Sequence, residues 1–435
     1  MAEVTLTLPI SKSIKARQML ICAINGHIQK PKMWCDDTAV IHKGLAAIDR
    51  SIRRNVGIDL NNTKYTTTCV VNVNHSGTAL RFLTAYAAAR QGAMVQIVGS
   101  ERLCSRPIHH LVDALRGMGA NIEYLERDGY APLLIYGTTL DHTHVSLPAN
   151  ISSQYFSALM LIAPLLSNTL TIDIVGEIVS SSYINLTAQM MTQCGVEPTI
   201  SNIQIVVPNG QYCISNQFVC GCAERDWSAA TFWLAATAIE PALHFTLPKL
   251  YLSSHQPDAK VLSVFEQMGV HCTAQNKTVN VYADKQLPAR HTIQFDATNN
   301  PDCVPALLVT ACMIGIEITI TGIQTLRLKE SDRAEALVEE LGKCGFKVKY
   351  NGIDTLHFCP DKKRNNIDNI GSNELSAHND HRIAMALSLL SLRYNVTIDN
   401  PDCVAKSYPD FWQHLAQVKK ASKTPQWGET KTLKG

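Results

Sequence analysis

No apolar run in this 435-residue chain is long enough to cross a membrane: the two longest, around residues 155–166 and 303–316, fall short of the about 18 to 20 residues that a bilayer requires. The opening segment MAEVTLTLPISKSIK alternates like a strand and lacks the apolar block of an export signal, so a cytoplasmic protein is expected. Charge of one sign is also missing. Lys and Arg number 39 against 37 Asp and Glu, a net +2, which argues against nonspecific nucleic-acid binding and leaves any anion to be met by local charge. The fourteen cysteines are scattered without a C-x-x-C pair or a ligand-like Cys/His spacing, and only Cys220 and Cys222 lie close. Structural thiols in a reducing compartment are therefore expected, and no motif calls for a metal or an organic cofactor.

What the chain does have is a period. Met118-Gly119, Cys194-Gly195, Met268-Gly269 and Cys344-Gly345 each close an amphipathic segment and lead into a strand-like run, with the glycines 76, 74 and 76 residues apart. A glycine in that place takes the left-handed conformation that ends a helix. Interleaved with these are Ala- and Leu-rich segments, each followed by an alternating β-type run, from LRFLTAYAAARQGAMVQIVG to AMALSLLSLRYNVTIDN, with a weaker copy, KARQMLICAINGHIQKPKMW, at the start. The residues just before them, Ser13, Thr78, Gln154, Trp227, Asp302 and Arg382, fall in register at steps of 65, 76, 73, 75 and 80. Six units of that size, three to a domain, suit small βαβ-based modules. At 46% apolar and 17% charged the chain can bury large cores, with the Ala-rich helices buried all round.

Polar residues gather just before the apolar helices: Ser11-Lys12-Ser13, His75-Ser76-Gly77-Thr78, Ser152-Ser153-Gln154, Arg225-Asp226, Asn300-Pro301-Asp302 and Asn379-Asp380-His381-Arg382. A helix N-terminus offers unpaired N–H groups and a positive dipole end, which suit phosphate or carboxylate. Capping accounts for Ser, Thr and Asp at such places. It does not account for Lys12, Arg17, Arg81 and Arg382, whose charge opposes the dipole, so an anion site is expected. Three further basic clusters are Ser105-Arg106-Pro107-Ile108, Arg327 to Arg333, and Ala405-Lys406. In the second, Lys329 and Arg333 are four apart and are expected on one helical face, with Glu330 and Asp332 pointing elsewhere.

In order, SKSIKAR, SGTALR, RPIHHLVDALRGMGA, ISSQY, SYI, NNPD, LRLKESDR, NDHR and AKSYPDF resemble the enolpyruvyl transferase family, and within it the 5-enolpyruvylshikimate-3-phosphate synthases, from about Leu8 to Val418. The resemblance implies an α/β fold: a two-domain inside-out α/β barrel of six βαβαββ repeats, helices inside and sheets outside. It divides the chain into 11–223 and 1–10 with 224–420, leaving 421–435 as a polar tail. The implied substrates are 3-phosphoshikimate and phosphoenolpyruvate, whose enolpyruvyl group moves to the shikimate 5-hydroxyl with release of phosphate, on the route to chorismate and aromatic amino acids. For 3-phosphoshikimate the resemblance implies Lys12, Ser13, Arg17, Ser152, Ser153, Ser180 and Tyr183, with Gln154 between the two substrates. For phosphoenolpyruvate it implies Lys12, Gly77, Arg106, Arg333, Arg382 and Lys406. Asp302 is implied as the base or orienting group for the 5-hydroxyl, Lys329 as the proton shuttle near the bridging oxygen, and Glu330 as the acid/base at C3. A monomer with small-molecule partners only is expected, binding neither nucleic acid nor membrane.

The sequence departs from that pattern in places. His75-Ser76-Gly77-Thr78 stands where the family usually has Asn-Ala-Gly-Thr, Phe82 where a proline often follows the arginine, and Thr325 where some members have Asn. Residues 41–66 match no pattern. A transferase acting on a UDP-amino sugar and a noncatalytic anion-binding relative are the two alternatives. RLKESDR, NDHR and the paired serines of SSQ speak against the first. The joint presence of Asp302, Lys329 and Glu330 speaks against the second, because a binder has no use for proton-transfer groups.

Overall fold

The four periodic glycines all take the left-handed backbone, with φ of 105° at Gly119, 84° at Gly195, 81° at Gly269 and 87° at Gly345, in a computed structural model that describes residues 2–28, 35–55, 68–176, 181–220, 224–284, 292–361 and 373–422. After helix His109–Gly117 the Gly119 N–H donates to the Arg116 carbonyl and the Ala120 N–H to that of Leu115. Gly345 and Phe346 repeat the pair on Gly342 and Leu341 after helix Arg333–Lys343. Both ends satisfy carbonyls that the helix leaves open, and only glycine takes that φ without a Cβ penalty. Each stop is followed by a strand, at Asn121–Tyr124, Thr199–Ile200, Val270–Gln275 and Val348–Tyr350.

The chain divides into two units, Ile10–Ala223 and Met1–Pro9 with Glu224–Gly435. Within Ile10–Ala223, one sheet has the order Cys69–Asn72, Met94–Val98, Leu133–Tyr136, Asn121–Tyr124, and a second the order His144–Pro148, Leu170–Val175, Gln204–Val207, Thr199–Ile200. The first two strands of each are parallel and the rest antiparallel. A parallel pair needs a crossover. Here it is an apolar helix, Gly77–Ala88 or Ser153–Ile162. These two helices pack on each other and on Lys12–Ile24.

The other unit repeats the pattern. Its sheets run Ala2–Thr5, Leu243–Pro248, Thr278–Ala283, Val270–Gln275 and Thr292–Asp296, Glu317–Thr321, Leu356–Phe358, Val348–Tyr350, and a parallel pair joins Glu374–Leu375 to Thr397–Ile398. Helix Val304–Ile314 packs on both Trp227–Ile239 and His381–Ser388. In Trp227–Ile239 every residue but Ser228 is buried, because one side meets helices and the other a sheet. Each large apolar side chain so enclosed contributes about 1.5 to 3 kcal/mol. The described strands thus form separate open sheets around inner helices, without closing into a β-barrel.

Two sequence expectations change. Residues 41–55, which matched no pattern, continue the helix Asp36–Asn55, whose Val40, Ile41, Leu45 and Ile48 are buried at helical spacing. The last helix, Phe411–Ser422, reaches two residues into the segment expected as a tail. Residues 56–66 and the rest of that tail lie outside the described residues. Among the described residues no helix is long and apolar enough to cross a membrane, and twelve cysteines between Cys22 and Cys403 are free thiols.

Candidate active site

In Ile10–Ala223 most of the described candidate residues stand on helices, while Ser152 caps one and Arg106 lies between two, and Arg17 is the most deeply buried of them. It is 2% exposed on helix Lys12–Ile24. Its Nε donates to Thr187 Oγ1 at 2.7 Å, Nη1 to the Ser13 carbonyl at 2.8 Å, and Nη2 to Ser157 Oγ at 3.1 Å and the Tyr183 carbonyl at 3.3 Å. The Phe82 ring lies 5.6 Å from its guanidinium. All of these partners are neutral, and burial pulls the guanidinium down to about 10, with Tyr183 opposing. Lys12, at the start of the same helix, faces Asp37 at 3.5 Å.

The N-termini of the next two inner helices meet side by side. Ser76 caps Gly77–Ala88 by accepting from the Ala79 N–H, and Ser152 caps Ser153–Ile162 by accepting from that of Gln154. Gln154 Nε2 donates to Thr78 Oγ1 at 3.0 Å, while its Oε1 is buried without a partner among the described residues. Arg81 Nη1 returns to the Gly77 carbonyl at 2.9 Å, and its guanidinium lies over the Tyr155 ring. A Cβ on Gly77 would stand 2.7 Å from Arg81 Nη1 and 3.2 Å from Arg106 Nη1. Glycine there lets two guanidiniums approach the backbone of one helix start. His75, beside them, is exposed. Ser180 lies outside the described residues.

In the other unit seven side chains form one charged network. Arg333, 1% exposed, binds Asp302 Oδ1 at 2.8 Å, Glu330 Oε2 at 2.9 Å and Asp380 Oδ2 at 2.7 Å. Lys329 Nζ reaches Asp302 Oδ1 at 3.3 Å, Arg382 Nη2 reaches Asp302 Oδ2 at 2.9 Å, and Lys406 pairs with Glu330. Four cations therefore share three carboxylates. Burial lowers Arg333, but Asp380, Glu330 and Asp302 outweigh it and hold the guanidinium above the ordinary arginine value. Arg382 follows the same rule, with burial opposed chiefly by Asp302.

The network corrects the helical-face expectation. Asp332 caps helix Arg333–Lys343 by accepting from the Glu335 N–H, so Lys329 and Glu330 precede the helix. Helical spacing does not apply to them, and Glu330 turns toward Arg333 instead of away. Sequence reasoning also missed Asp380 as a site residue. It is an N-cap, accepting from the Arg382 N–H at 2.9 Å, and its other oxygen holds Arg333 from 47 positions away. Asp258 was missed as well. It is 3% exposed and accepts from Ser228, and burial followed by the charge of Asp302 raises its pKa. Its place after Pro257 in the short 3-10 turn Pro257–Val261 carries no sequence signal of a site.

The sequence profile of the EPSP synthase family (3-phosphoshikimate 1-carboxyvinyltransferase) matches residues 2–415. A 3-phosphoshikimate 1-carboxyvinyltransferase of Bacteroides fragilis (strain YCH46) is 34% identical over 421 residues, covering 96% of this chain and 95% of its own. That of Colwellia psychrerythraea is 34% identical over 430 residues, covering 94% and 96%. Among solved structures, the EPSP synthase of Acinetobacter baumannii superposes with a TM-score of 0.70 at 20% identity, over 96% of each chain, which speaks for the two-domain fold. On the full-length profile match and these relatives together, the chain belongs to the EPSP synthase family.

Proposed function

We propose that this chain transfers the enolpyruvyl group of phosphoenolpyruvate to the 5-hydroxyl of 3-phosphoshikimate and releases phosphate, serving chorismate and aromatic amino acid biosynthesis as a cytoplasmic enzyme that acts as a monomer. The observation that carries this reading is the seven-residue network, in which Arg333 holds the carboxylates of Asp302 and Glu330 and Asp302 in turn holds the Lys329 ammonium. A mere anion binder gains nothing from pairing its cations with Asp302 and Glu330.

The chemistry asks for a base at the hydroxyl, an acid at C3 and cations for two phosphates and a carboxylate. Asp302 accepts the 5-hydroxyl proton as the oxygen bonds to C2 of phosphoenolpyruvate, and Glu330 delivers a proton to C3. In the second step C3 returns its proton to Glu330 and phosphate departs, with Lys329 supplying a proton at the bridging oxygen. Arg333, Arg382 and Lys406 bind the anionic groups of phosphoenolpyruvate. These three cations already have carboxylate partners, so an incoming anion shares them with Asp302 and Glu330 and loosens the hold on the two proton-transfer groups.

On the other unit Arg17 takes the shikimate phosphate, helped by Lys12, Ser13, Ser152, Ser153, Ser180 and Tyr183. Gly77 and Arg106 hold phosphoenolpyruvate, and Gln154 lies between the ligands. The test is phosphate release with each substrate omitted in turn. Release is expected only when both are present, and a chelator leaves it unchanged. Turnover with a UDP-amino sugar in place of 3-phosphoshikimate, or with neither acceptor, contradicts the proposal.

A further inference from the structure

One cluster of metal-ligating groups stands apart from the charged network, on the sheet formed by Thr292–Asp296, Glu317–Thr321, Leu356–Phe358 and Val348–Tyr350. Strands Glu317–Thr321 and Leu356–Phe358 are antiparallel, with Ile318 opposite Phe358 and Thr319 opposite His357. Side chains alternate between faces. Ile318, Phe358 and Leu356 point into the core, so Glu317, Thr319, His357 and Cys359 share the solvent face. One step further along the ladder Glu317 stands opposite Cys359. The result is a carboxylate oxygen, an imidazole nitrogen and a thiol sulfur all within 4.8 Å of one another.

Two details separate this from a chance surface pair. His357 Nε2 and Glu317 Oε1 are 3.8 Å apart, too far for a hydrogen bond and about half an ångström wider than the roughly 3.3-Å edge of a tetrahedron of about 2-Å ligand bonds, a gap that a small side-chain movement closes. His357 Nδ1 is hydrogen-bonded to Thr319 Oγ1 at 3.0 Å, which fixes the ring and leaves Nε2 facing the carboxylate. An outer hydrogen bond on the second imidazole nitrogen is how metal-ligating histidines are oriented. Lys349 stands opposite His357 on the neighbouring strand.

We propose that Glu317, His357 and Cys359 form a binding site for a borderline-soft divalent metal of the zinc type, with a fourth position open to water. Mixed sulfur, nitrogen and oxygen donors select such a metal over magnesium or calcium. The thiol gives its proton to solvent on binding, and the metal ties strand Glu317–Thr321 to the end of strand Leu356–Phe358. Glu317 follows the C-terminal end of helix Val304–Ile314, whereas Asp302 precedes its N-terminus. A helix of that length separates them by roughly 16 Å, so the metal affects stability and not turnover.

The sequence hides this site because Glu317 lies 40 positions from His357, and strand pairing alone brings them together. Cobalt(II) titration of the full chain tests the proposal. We expect one equivalent to bind with a thiolate-to-metal charge-transfer band, and zinc to raise the melting temperature. Cys359→Ser should abolish the band, His357→Asn and Glu317→Gln should each weaken binding at least tenfold, and Thr319→Val should weaken it about 10- to 100-fold, the usual cost of losing an outer partner. Cys213→Ser, at another exposed thiol, should change nothing. A band that survives Cys359→Ser, or an affinity indifferent to His357, Glu317 and Thr319, overturns the proposal and places the cobalt on some other thiol.

Discussion

Arg17 and Arg333 are almost equally buried, at 2% and 1% exposed, yet one is surrounded by hydroxyls, carbonyls and a ring while the other holds three carboxylates. Burial lowers both guanidiniums, and their partners decide the outcome. It pulls Arg17 down to about 10, whereas at Arg333 the carboxylates overcome it. A buried guanidinium without a carboxylate is desolvated and unbalanced, and that imbalance is relieved by an anionic ligand. A guanidinium with three carboxylates is already balanced, holds those carboxylates in place, and meets an incoming anion only by sharing its charge. On the proposed function, Arg17 reads the shikimate phosphate, and Arg333 holds the proton-transfer carboxylates while sharing its charge with phosphoenolpyruvate.

The largest expected break of this contrast is in stability. Arg333→Met strands Asp380, which is fully buried, together with Asp302 and Glu330, and should cost about 3 to 5 kcal/mol, as removing one partner of a buried ion pair does. Arg17→Gln should change stability by no more than about 1 kcal/mol, because Ser157 and Thr187 already bond each other and Thr187 also bonds the Tyr183 carbonyl. Urea unfolding of the two variants beside the parent checks both values. Equal losses would erase the distinction.

Next in size is catalysis. Asp302→Asn and Glu330→Gln should each lower kcat by roughly 100-fold or more, the scale of acid–base groups, while 3-phosphoshikimate still binds. Steady-state kinetics with a separate binding measurement decides this, and an intact kcat in Asp302→Asn removes it as the base.

A smaller effect is expected at Glu340, further along the helix that Arg333 begins. It is fully buried and accepts from Lys343 Nζ at 2.7 Å, His378 Nε2 at 2.9 Å and the Ser376 N–H at 3.0 Å. His378 and Asn379 adopt left-handed φ of 48° and 54° just before Asp380, a strained turn for residues that are not glycine. Helix Arg333–Lys343 thus grips this turn twice, through Arg333 and through Glu340. Glu340→Gln should cost about 1 to 3 kcal/mol, the price of an imperfectly satisfied buried group. Unchanged stability on urea unfolding would mean that Asp380 is placed by Arg333 alone.

The smallest expected effect is on pH. His414 is held below the ordinary histidine value of 6.5 by burial. Trp233 Nε1 can only donate to the Tyr408 hydroxyl, at 3.0 Å, so that hydroxyl donates to His414 Nδ1, at 2.7 Å. A histidine whose folded pKa is depressed contributes stability that is fully present above its unfolded value and lost as pH falls below it. Melting temperatures should therefore decline as pH drops below about 6.5, less steeply in His414→Gln than in the parent. Parallel profiles would show that His414 plays no part.

Local physics made much of this legible in the sequence and hid the rest. The periodic glycines were visible because a helix stop is written in two or three adjacent residues. The polar starts of the inner helices were visible for the same reason. Lys329 and Glu330 were misread because their orientation depends on where the helix begins, and the Asp332 cap sets that one turn later than spacing alone suggests. Asp380 was hidden behind its role as a cap, and its second role rests on an arginine 47 positions earlier. Helix Asp36–Asn55 had a readable apolar stripe, at Val40, Ile41, Leu45 and Ile48, but no matching motif drew attention to it.

The contrast between the two arginines rests most directly on what Arg17 recognises. Calorimetric titration of the parent and Arg17→Gln with 3-phosphoshikimate, and with shikimate lacking the phosphate, isolates that contact. The account predicts that Arg17→Gln loses at least about tenfold in affinity for the phosphorylated ligand, equivalent to about 1.4 kcal/mol, while the two proteins bind the unphosphorylated ligand alike. Equal affinity of both proteins for 3-phosphoshikimate would contradict it.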